Sequence, residues 1–250
     1  MSETIQPGVL YVVSTPIGNL DDITLRAIHV LGAVDLIAAE DTRKTKFLLD
    51  HLSLKKPLVS YFSYNEHRRV PDLIAKLKAN SSVAVVTDAG TPGISDPAYV
   101  VICEAIAHGI TVIPVPGASA VLAALITSGL PTERFVFEGF LPLKKGRKTR
   151  FQQLKDEERT VVIYEAPHRV EKTLADIRMY LGERRIALVR EITKKFEEVT
   201  RGKTSELIQI VRQRPPRGEY VIVIAGSSDR QRARDASTDA HDHDQACRHI

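Results

Sequence analysis

The sequence predicts an α/β protein with a parallel sheet in its first half and a mixed sheet in its second half. Short runs rich in Val, Ile, Leu and Tyr alternate with segments whose apolar residues recur at helical spacing. Strands separated by helices are typical of a parallel sheet covered on both faces. In the second half, only residues 191–195 separate two strand-like runs, which indicates an antiparallel hairpin.

The first half contains strand-like runs rich in β-branched and other large apolar residues. They are residues 9–14, 36–39, 58–62, 83–87 and 110–115, and a further run at 135–139 is expected to close this half. Helices are predicted at residues 25–34, 42–51, 72–79, 98–108 and 119–128. Asp21 or Asp22 is expected to cap the first helix, and Pro71 to lie in the first turn of the third.

The second half mixes the same two kinds of element in a different order. Strands are predicted at residues 161–164, 186–190, 196–201 and 220–225, and helices at 149–155, 170–181 and 205–212. A basic segment, residues 141–148 (LPLKKGRK), separates the halves, so we predict domains at 1–140 and 141–226. Residues 227–250 contain one large aliphatic side chain, Ile250, and are predicted to form a disordered tail.

Composition excludes several classes of protein. The 250 residues are 43% hydrophobic and 26% charged, as in ordinary globular proteins. Two cysteines exclude a disulfide scaffold and a Cys-based zinc cluster; we expect no metal site, since residues 241–244 (HDHD) fit a solvated tail better. The most apolar stretch, 118–130, is shorter than the ~20 residues that span a bilayer. With no signal-peptide pattern, we expect a cytoplasmic protein without membrane contact.

Three turns that contain both Gly and Pro follow predicted strands of the first half. They are the first turn (residues 14–19), the second turn (88–93) and the third turn (116–119). Ligands of open parallel sheets bind beyond the carboxyl ends of the strands, and Gly lets backbone approach a ligand closely. The motifs GxGxxG, GxxxxGK[ST], HExxH and GxSxG are absent, so we expect a ligand with little phosphate. Asp88 and Asp96 are candidates for a ribose hydroxyl or a positive centre, although Asp96 is equally explained as a helix cap.

Eight segments, in order, resemble the ribosomal RNA small subunit methyltransferase I family, which belongs to the tetrapyrrole methylase superfamily of S-adenosylmethionine enzymes. They are residues 14–22 (STPIGNLDD), 39–43 (AEDTR), 63–67 (SYNEH), 87–97 (TDAGTPGISDP), 114–120 (PVPGASA), 138–142 (EGFLP), 164–169 (YEAPHR) and 190–194 (REITK). The resemblance extends from about Gly8 to Gly226. It implies two α/β domains of the tetrapyrrole methylase type, with the cofactor in the cleft between them, and a homodimer.

The resemblance also implies an activity and a set of site residues. The activity is 2′-O-methylation of a cytidine ribose at the decoding centre of 16S ribosomal RNA, either free or in the small ribosomal subunit, with S-adenosylmethionine as cofactor. The implied cofactor-binding residues lie in the three turns and at two strand ends of the second domain. They are Pro16, Asp88, Ala89, Gly90, Ile94, Pro116, Gly117, Ser119, Ala120, Ala166 and Ala225.

A ribose hydroxyl is a poor nucleophile at neutral pH, so a general base would assist the transfer. By motif position, the candidate bases are Asp41, Glu66, His67 and Glu165. Arg43 is a candidate for holding a phosphate, and Asn19 and Asn65 for positioning the cytidine. Each of these residues is also explained by helix capping or an ion pair.

The basic segment carries the predicted RNA-binding residues Lys144, Lys145, Arg147 and Lys148, and Arg150 follows them. Such charges bind phosphates without reading sequence. A solvated charged face is the alternative interpretation.

Three other functions stay open at this point. A corrin or porphyrin methyltransferase would share the fold and take an acidic small molecule. A non-enzymatic RNA-binding module would leave the three turns without a role. A nicotinamide oxidoreductase is disfavoured because the GxGxxG motif is absent.

Overall fold

A computed structural model describes residues 4–228 and divides the chain into two compact units, Met1–Ala120 and Val121–Ile250. Each unit contains a five-stranded sheet. Of the tail predicted to be disordered, residues 227–250, the first two are described: the Ser227 and Ser228 hydroxyls donate to the carbonyls of Asp156 (3.2 Å) and Glu158 (3.1 Å). The rest, including the His/Asp sequence at 241–244, lies outside the described residues.

The sheet of the first unit is entirely parallel, with strand order β3-β2-β4-β1-β5. Its strands are β1 (Leu10–Val13), β2 (Leu36–Ala39), β3 (Leu58–Ser60), β4 (Val83–Val86) and β5 (Val112–Val115). Its helices are α1 (Leu25–Ala33), α2 (Thr42–His51), α3 (Glu66–Lys78) and α4 (Ala98–Ala107), and α5 (Ala120–Thr127) begins at the division between the units.

Both faces of this sheet are buried, which explains why its strands are continuously apolar. Leu10 and Val12 of β1 contribute to the apolar cluster on one face, and Tyr11 and Val13 to the cluster on the other. The predicted parallel sheet covered on both faces is confirmed.

The sheet of the second unit is mixed, with strand order β6-β7-β10-β8-β9. Its elements are β6 (Phe135–Phe140), α6 (Arg147–Gln153), β7 (Thr160–Glu165), α7 (Val170–Tyr180), β8 (Arg185–Arg190), β9 (Glu198–Lys203), α8 (Thr204–Gln213) and β10 (Tyr220–Ile224). β6 and β7 are parallel, whereas β10 is antiparallel to both β7 and β8. The hairpin predicted between β8 and β9 is confirmed.

The prediction that the strand at 135–139 closes the first half is wrong. This strand is β6, which pairs with β7 in the second sheet from Phe135↔Thr160 to Phe140↔Tyr164. Its apolar residues identify a strand but not the sheet that it joins. The observed division after Ala120 therefore falls twenty residues before the predicted boundary at 140/141.

Two helix starts also differ from the prediction. Thr24 caps α1, because its side chain accepts a hydrogen bond from the Ala27 amide, while Asp21 and Asp22 lie in a preceding 3-10 turn. Helix α3 begins at Glu66, so Pro71 lies inside the helix rather than in its first turn. A proline at that position removes one helical N–H donor.

A buried arginine ties the ends of several elements of the second unit together. Arg184 is 4% exposed and lies between α7 and β8. Its guanidinium donates to three backbone carbonyls, those of Leu181 (3.3 Å), Ala225 (3.2 Å) and Lys155 (2.7 Å). Unsatisfied buried carbonyls are costly, so this side chain is expected to be important for stability.

We expect Arg184→Met, which keeps an apolar stem and removes the donors, to lower the free energy of unfolding by about 3 kcal/mol. Urea denaturation followed by circular dichroism measures the change. The matched control is Arg178→Met, an exposed arginine of α7, expected to change stability by less than about 0.5 kcal/mol. Equal effects of the two substitutions would contradict the assigned role of Arg184.

Candidate functional site

The first and second turns are joined by backbone hydrogen bonds just beyond the adjacent strands β1 and β4. The Thr15 amide donates to the Gly90 carbonyl at 2.9 Å, and the Gly90 amide donates to the Thr15 carbonyl at 3.1 Å. The Thr15 hydroxyl donates to the Thr87 carbonyl at 3.1 Å. The two turns are therefore fixed to each other at the carboxyl edge of the first sheet.

The third turn packs directly on the end of β1. A Cβ atom placed on Gly117 would lie 2.8 Å from the Ser14 Cβ, so only glycine fits without a shift. The Ser14 and Thr91 hydroxyls lie 3.0 Å apart, and Thr91 also contacts the Ala118 carbonyl at 3.5 Å. All three Gly/Pro turns thus meet at one sheet edge.

The second turn presents open backbone. Gly90 has φ +86°, and a Cβ there would lie 3.3 Å from Cγ2 of Ile17, next to the buried Pro16. Ala89 is exposed, and within residues 4–228 neither its amide nor its carbonyl has a hydrogen-bond partner. Polar backbone groups at this position are available to a ligand.

Asp88 is held by groups that sequence analysis missed. Its Oδ1 accepts from the Asp41 amide at 3.0 Å, and its Oδ2 forms an ion pair with Lys44 at 2.7 Å. The Glu40 carboxylate accepts from the Thr87 hydroxyl (2.6 Å) and the Asp88 amide (3.1 Å). A carboxylate has about four acceptor positions, so Asp88 retains capacity for a ligand hydroxyl.

Asp96 precedes Pro97, the N-cap residue of α4, and its carboxylate is bonded to backbone amides on both sides. Its carboxylate accepts from the Gly93 amide at 2.9 Å and from the Ala98 amide, in the first turn of α4, at 2.9 Å. Ile94 lies on the same loop and is 47% exposed.

Tyr61, also missed from sequence, ties the end of β3 to this loop. Its hydroxyl donates to the Pro97 carbonyl at 2.8 Å and accepts from the Val101 amide at 3.2 Å. Burial raises the pKa of Tyr61 to about 12, so the phenol keeps its proton at neutral pH.

Asp41 is paired in a way that makes it a weak proton acceptor. It is the N-cap of α2 and accepts from the Arg43 amide at 2.9 Å and from the Arg43 guanidinium at 3.0 and 2.7 Å. Hydrogen bonds from Arg43 hold the pKa of Asp41 far below its ordinary value. Arg43 itself is 89% exposed, so its guanidinium is open to solvent on one side.

Of the other polar candidates of the first unit, Asn19 and Asn65 bond to backbone groups of their own loops, and Glu66 and His67 have no side-chain hydrogen bond within residues 4–228. The Asn19 side chain accepts from the Asp21 amide at 3.2 Å, and Asn65 accepts from the Phe62 amide at 2.9 Å. Glu66 and His67 lie in the first turn of α3, after β3, with Glu66 half-buried and His67 exposed.

Glu165, at the end of β7, is a structural carboxylate. It accepts from the Ala166 amide at 3.0 Å and from the Thr173 hydroxyl at 2.5 Å, and it pairs with Arg169 at 3.0 Å. Three donors occupy about three of its four acceptor positions, and its side chain is fully buried, so Glu165 is not open to a substrate proton from solvent.

Ala166 and Ala225, both predicted to bind one cofactor, do not lie together. β10 runs antiparallel to β7, with Tyr220 opposite Glu165 and Ile224 opposite Val161. Ala166 therefore follows one edge of the second sheet and Ala225 the opposite edge. The Ala225 amide already donates to the Arg185 carbonyl at 2.9 Å. A cofactor that contacts both residues would have to extend along the length of β10, and the assignment of Ala225 to the site stays a prediction.

Arg147, predicted as an RNA-binding residue, does not present an exposed charge, because its side chain is buried and its guanidinium is bonded within the second unit. It is 6% exposed, and its guanidinium bonds Asp176 (2.8 Å), Thr173 (2.7 Å) and the Pro142 carbonyl (3.2 Å), with the Phe151 ring centroid 5.1 Å away. The start of α6 at Arg147 turns this residue toward the core, which a count of charges does not reveal. Lys144, Lys145 and Lys148 are exposed as predicted, whereas Arg150 pairs with Glu138.

The described residues contain neither a membrane-spanning helix nor a metal-binding cluster. Within positions 4–228, every helix is too short or too polar to cross a membrane. The same part of the chain holds no group of three or more His, Cys, Asp or Glu side chains placed to bind a metal ion.

The sequence is similar to curated methyltransferases over most of its length. The family model for tetrapyrrole (corrin/porphyrin) methylases matches residues 9–208. Ribosomal RNA small subunit methyltransferase I of Synechocystis sp. is 50% identical over 227 residues, 90% of this chain and 81% of that protein. The protein of the same name from Thermotoga maritima is 46% identical over 88% of this chain and 99% of that protein.

Solved structures share the fold at low sequence identity. Uroporphyrin-III-C-methyltransferase from Thermus thermophilus has a TM-score of 0.61 at 21% identity and covers 87% of this chain and 94% of its own. Cobalt precorrin-4 methyltransferase has a TM-score of 0.65 at 17% identity, with 87% and 95% covered. These matches confirm the two-sheet α/β fold.

The contact between the first and third turns gives a test by compensation. We expect Gly117→Ala to lower the free energy of unfolding by about 1–3 kcal/mol, because its new methyl group overlaps Ser14. Ser14→Gly removes the opposing Cβ, so the double variant should be more stable than the sum of the single effects predicts. Urea denaturation of the four proteins measures the coupling, and additive effects would refute the close contact.

Proposed function

Because the chain belongs to the ribosomal RNA small subunit methyltransferase I family of tetrapyrrole methylases, we propose that it methylates ribosomal RNA with S-adenosylmethionine as donor. The proposed product is a 2′-O-methylated cytidine at the decoding centre of 16S ribosomal RNA, as the motif resemblance implies. We propose a homodimer that acts in the cytoplasm on free RNA or on the small ribosomal subunit.

The observation that carries the proposal is the meeting of the three Gly/Pro turns at the carboxyl edge of the first sheet. Ala89 offers an unpaired amide and carbonyl, and Asp88 offers unused acceptor positions suited to ribose hydroxyls. Gly90 lacks a Cβ atom next to Ile17, and Gly117 lets the third turn pack directly on Ser14. When bound, S-adenosylmethionine supplies a methyl group already activated by its sulfonium.

The protein's part in the transfer is chiefly placement of the acceptor hydroxyl. In-line attack requires the reacting atoms within about 3–3.5 Å, and this positioning supplies much of the rate. Asp41 and Glu165 are both paired with arginine, so Glu66 and His67 are the better candidates for receiving the hydroxyl proton. Arg43, tethered by Asp41 and open to solvent, is suited to hold a phosphate of the RNA.

The experiment that tests the function has two steps. Titration calorimetry measures S-adenosylmethionine binding to the wild type and to Gly90→Val, whose side chain is strained at φ +86° and crowds Ile17. Ribosomal RNA from a strain lacking the gene is then incubated with labelled S-adenosylmethionine. We expect binding by the wild type, none by the variant, and labelled RNA whose methylated linkage resists alkaline cleavage, since that cleavage needs a free 2′-hydroxyl.

Each other outcome has a definite meaning. Binding of the cofactor without RNA labelling would favour a tetrapyrrole substrate, as in the proteins with the same fold. Labelled RNA that remains sensitive to alkali at the modified position would refute the ribose as acceptor. If the wild type does not bind S-adenosylmethionine, both methyltransferase hypotheses, the one with RNA and the one with a tetrapyrrole as substrate, are refuted.

We expect replacement of Lys144, Lys145 and Lys148 by Gln to weaken RNA binding and leave cofactor binding unchanged. RNA affinity falls as salt rises, and with three fewer phosphate contacts the plot of log affinity against log salt should become less steep by about 2. Fluorescence anisotropy at several salt concentrations measures the slope. The control replaces Lys46, Lys55 and Lys76, exposed lysines of the first unit, with the same change in charge. An equal loss in the control would show that net charge alone is responsible.

A further inference from the structure

We propose that one edge of the second sheet is a stacking platform for unpaired nucleotides, with Phe140 and Phe196 as its two stacking rings. The inference rests on the proposed function, in that it takes RNA as the substrate. Beyond the proposed function, the inference specifies that RNA binds as an unpaired single strand and names the residues that hold the bases.

Strand register brings both phenylalanines to the same edge. Phe140 ends β6 opposite Tyr164 of β7, and β7 ends at Glu165 opposite Tyr220. Tyr220 lies opposite Arg190, the last residue of β8, so the segment 191–197 extends from this edge too. Phe196 lies in this segment between β8 and β9, which are three and four strand spacings from β6. At ~4.8 Å per spacing, the two strands are about 14 and about 19 Å from β6. A separation in this range accommodates about four to six stacked nucleotides at ~3.4 Å each.

The Phe140 ring is exposed but held in place from one side. It is 57% exposed, and its centroid lies 5.5 Å from that of Tyr164 with the rings tilted by 55°. Tyr164 in turn packs edge-on against Phe137 at 5.0 Å. A ring fixed in this way loses little conformational freedom when a base stacks on its open side.

Phe196 lies in the connection between β8 and β9, whose backbone is strained at two residues. It is 61% exposed, and the ammonium of Lys195 lies 5.7 Å from its ring centroid. Glu191 has φ +46° and Thr193 has φ +66°, a conformation that β-branched residues rarely adopt. Such strain persists where the surroundings enforce it, and it is concentrated at functional sites.

Hydrogen bonds within the connection and to Glu219 hold Glu191 and Thr193 in the positive-φ conformation. Lys194 donates to Glu191 at 3.0 Å and to Glu219 at 2.7 Å, and the Thr193 amide donates to Glu197 at 2.5 Å. Burial would lower the pKa of Lys194, but its two carboxylate partners raise it, so this ammonium stays charged and bound. The rigid connection presents Lys195 and Phe196 outward.

Charge at this edge favours a polyanion. Several of its acidic side chains are paired: Glu138 with Arg150, Glu165 with Arg169, and Glu191 and Glu219 both with Lys194. The shared Lys194 leaves one negative charge, and the exposed Glu197 adds a second. Four exposed lysines follow Phe140 or precede Phe196 in the sequence and exceed these two charges. They are Lys144, Lys145, Lys148 and Lys195, and none has an ion-pair partner within residues 4–228. Exposed aromatic rings flanked by cations are typical of single-strand binding, whereas the base faces of a duplex are covered.

The test compares Phe140→Ala and Phe196→Ala with Phe140→Trp and Phe196→Trp. Binding of an unstructured oligoribonucleotide of about 12 nucleotides, and of a fully paired RNA hairpin, is measured by fluorescence anisotropy. The control is Phe47→Ala on α2, where the ring is 67% exposed in the first unit. Cofactor binding, the free energy of unfolding and the oligomeric state by light scattering are measured for every variant.

We expect each Ala variant to lose at least about 5-fold in single-strand affinity, with the salt dependence unchanged, because stacking is removed and phosphate contacts remain. The Trp variants, the Phe47 control and hairpin binding should match the wild type. If both Ala variants bind the single strand as tightly as the wild type, the proposal is overturned. It is also overturned if affinity is lost only together with a change in oligomeric state, because the surface would then be a contact between two copies of the chain. If the wild type methylates RNA and the Ala variants bind RNA normally, the stacking platform is overturned and the proposed function stands. If the wild type neither binds nor methylates RNA, the proposed function is overturned as well.

Discussion

The candidate site depends on close approach of backbone to backbone beyond β1 and β4. Thr15 and Gly90 exchange two hydrogen bonds there, which continues the contact between the adjacent strands past their ends. With the two turns fixed, Gly117 packs on Ser14 and closes the third turn over them. A Cβ at Gly117 would overlap Ser14, and one at Gly90 would crowd Ile17. The close packing of the three turns therefore depends on glycine at these two positions.

A connected polar network gives the second unit a comparable constraint. It links the ends of β7, α6 and α7 through charge-assisted hydrogen bonds. In order, it runs Asp176, Arg147, Thr173, Glu165, Arg169 and the Leu141 carbonyl. Buried polar networks stabilise when every member has partners, and they are costly when one partner is removed. Through the Leu141 and Pro142 carbonyls, which accept from Arg169 and Arg147, the network fixes the segment that precedes the exposed lysines.

Periodicity and strand composition were sufficient to predict the class of fold and most elements, including β2 and α2 with their exact observed bounds. The meeting of the three turns was also predictable, because carboxyl ends of parallel strands share an edge. What a single sequence did not reveal depended on tertiary pairing. β6 joined the second sheet, Ala225 came to the opposite edge from Ala166, and Arg147 turned inward. Glu40 and Lys44 were missed for the same reason, since their partners Thr87 and Asp88 lie on another strand.

The position of β10 has a consequence for how the protein is made. β10 is the last strand within residues 4–228, yet it lies in the middle of the second sheet, between β7 and β8. The first sheet is complete once Val115 has been synthesised, so it can form while translation continues. The second sheet must wait for Ile224, and until then β7 and β8 have unpaired edges that can associate with other chains. A premature stop before Tyr220 would therefore leave a folded first unit attached to an aggregation-prone second one.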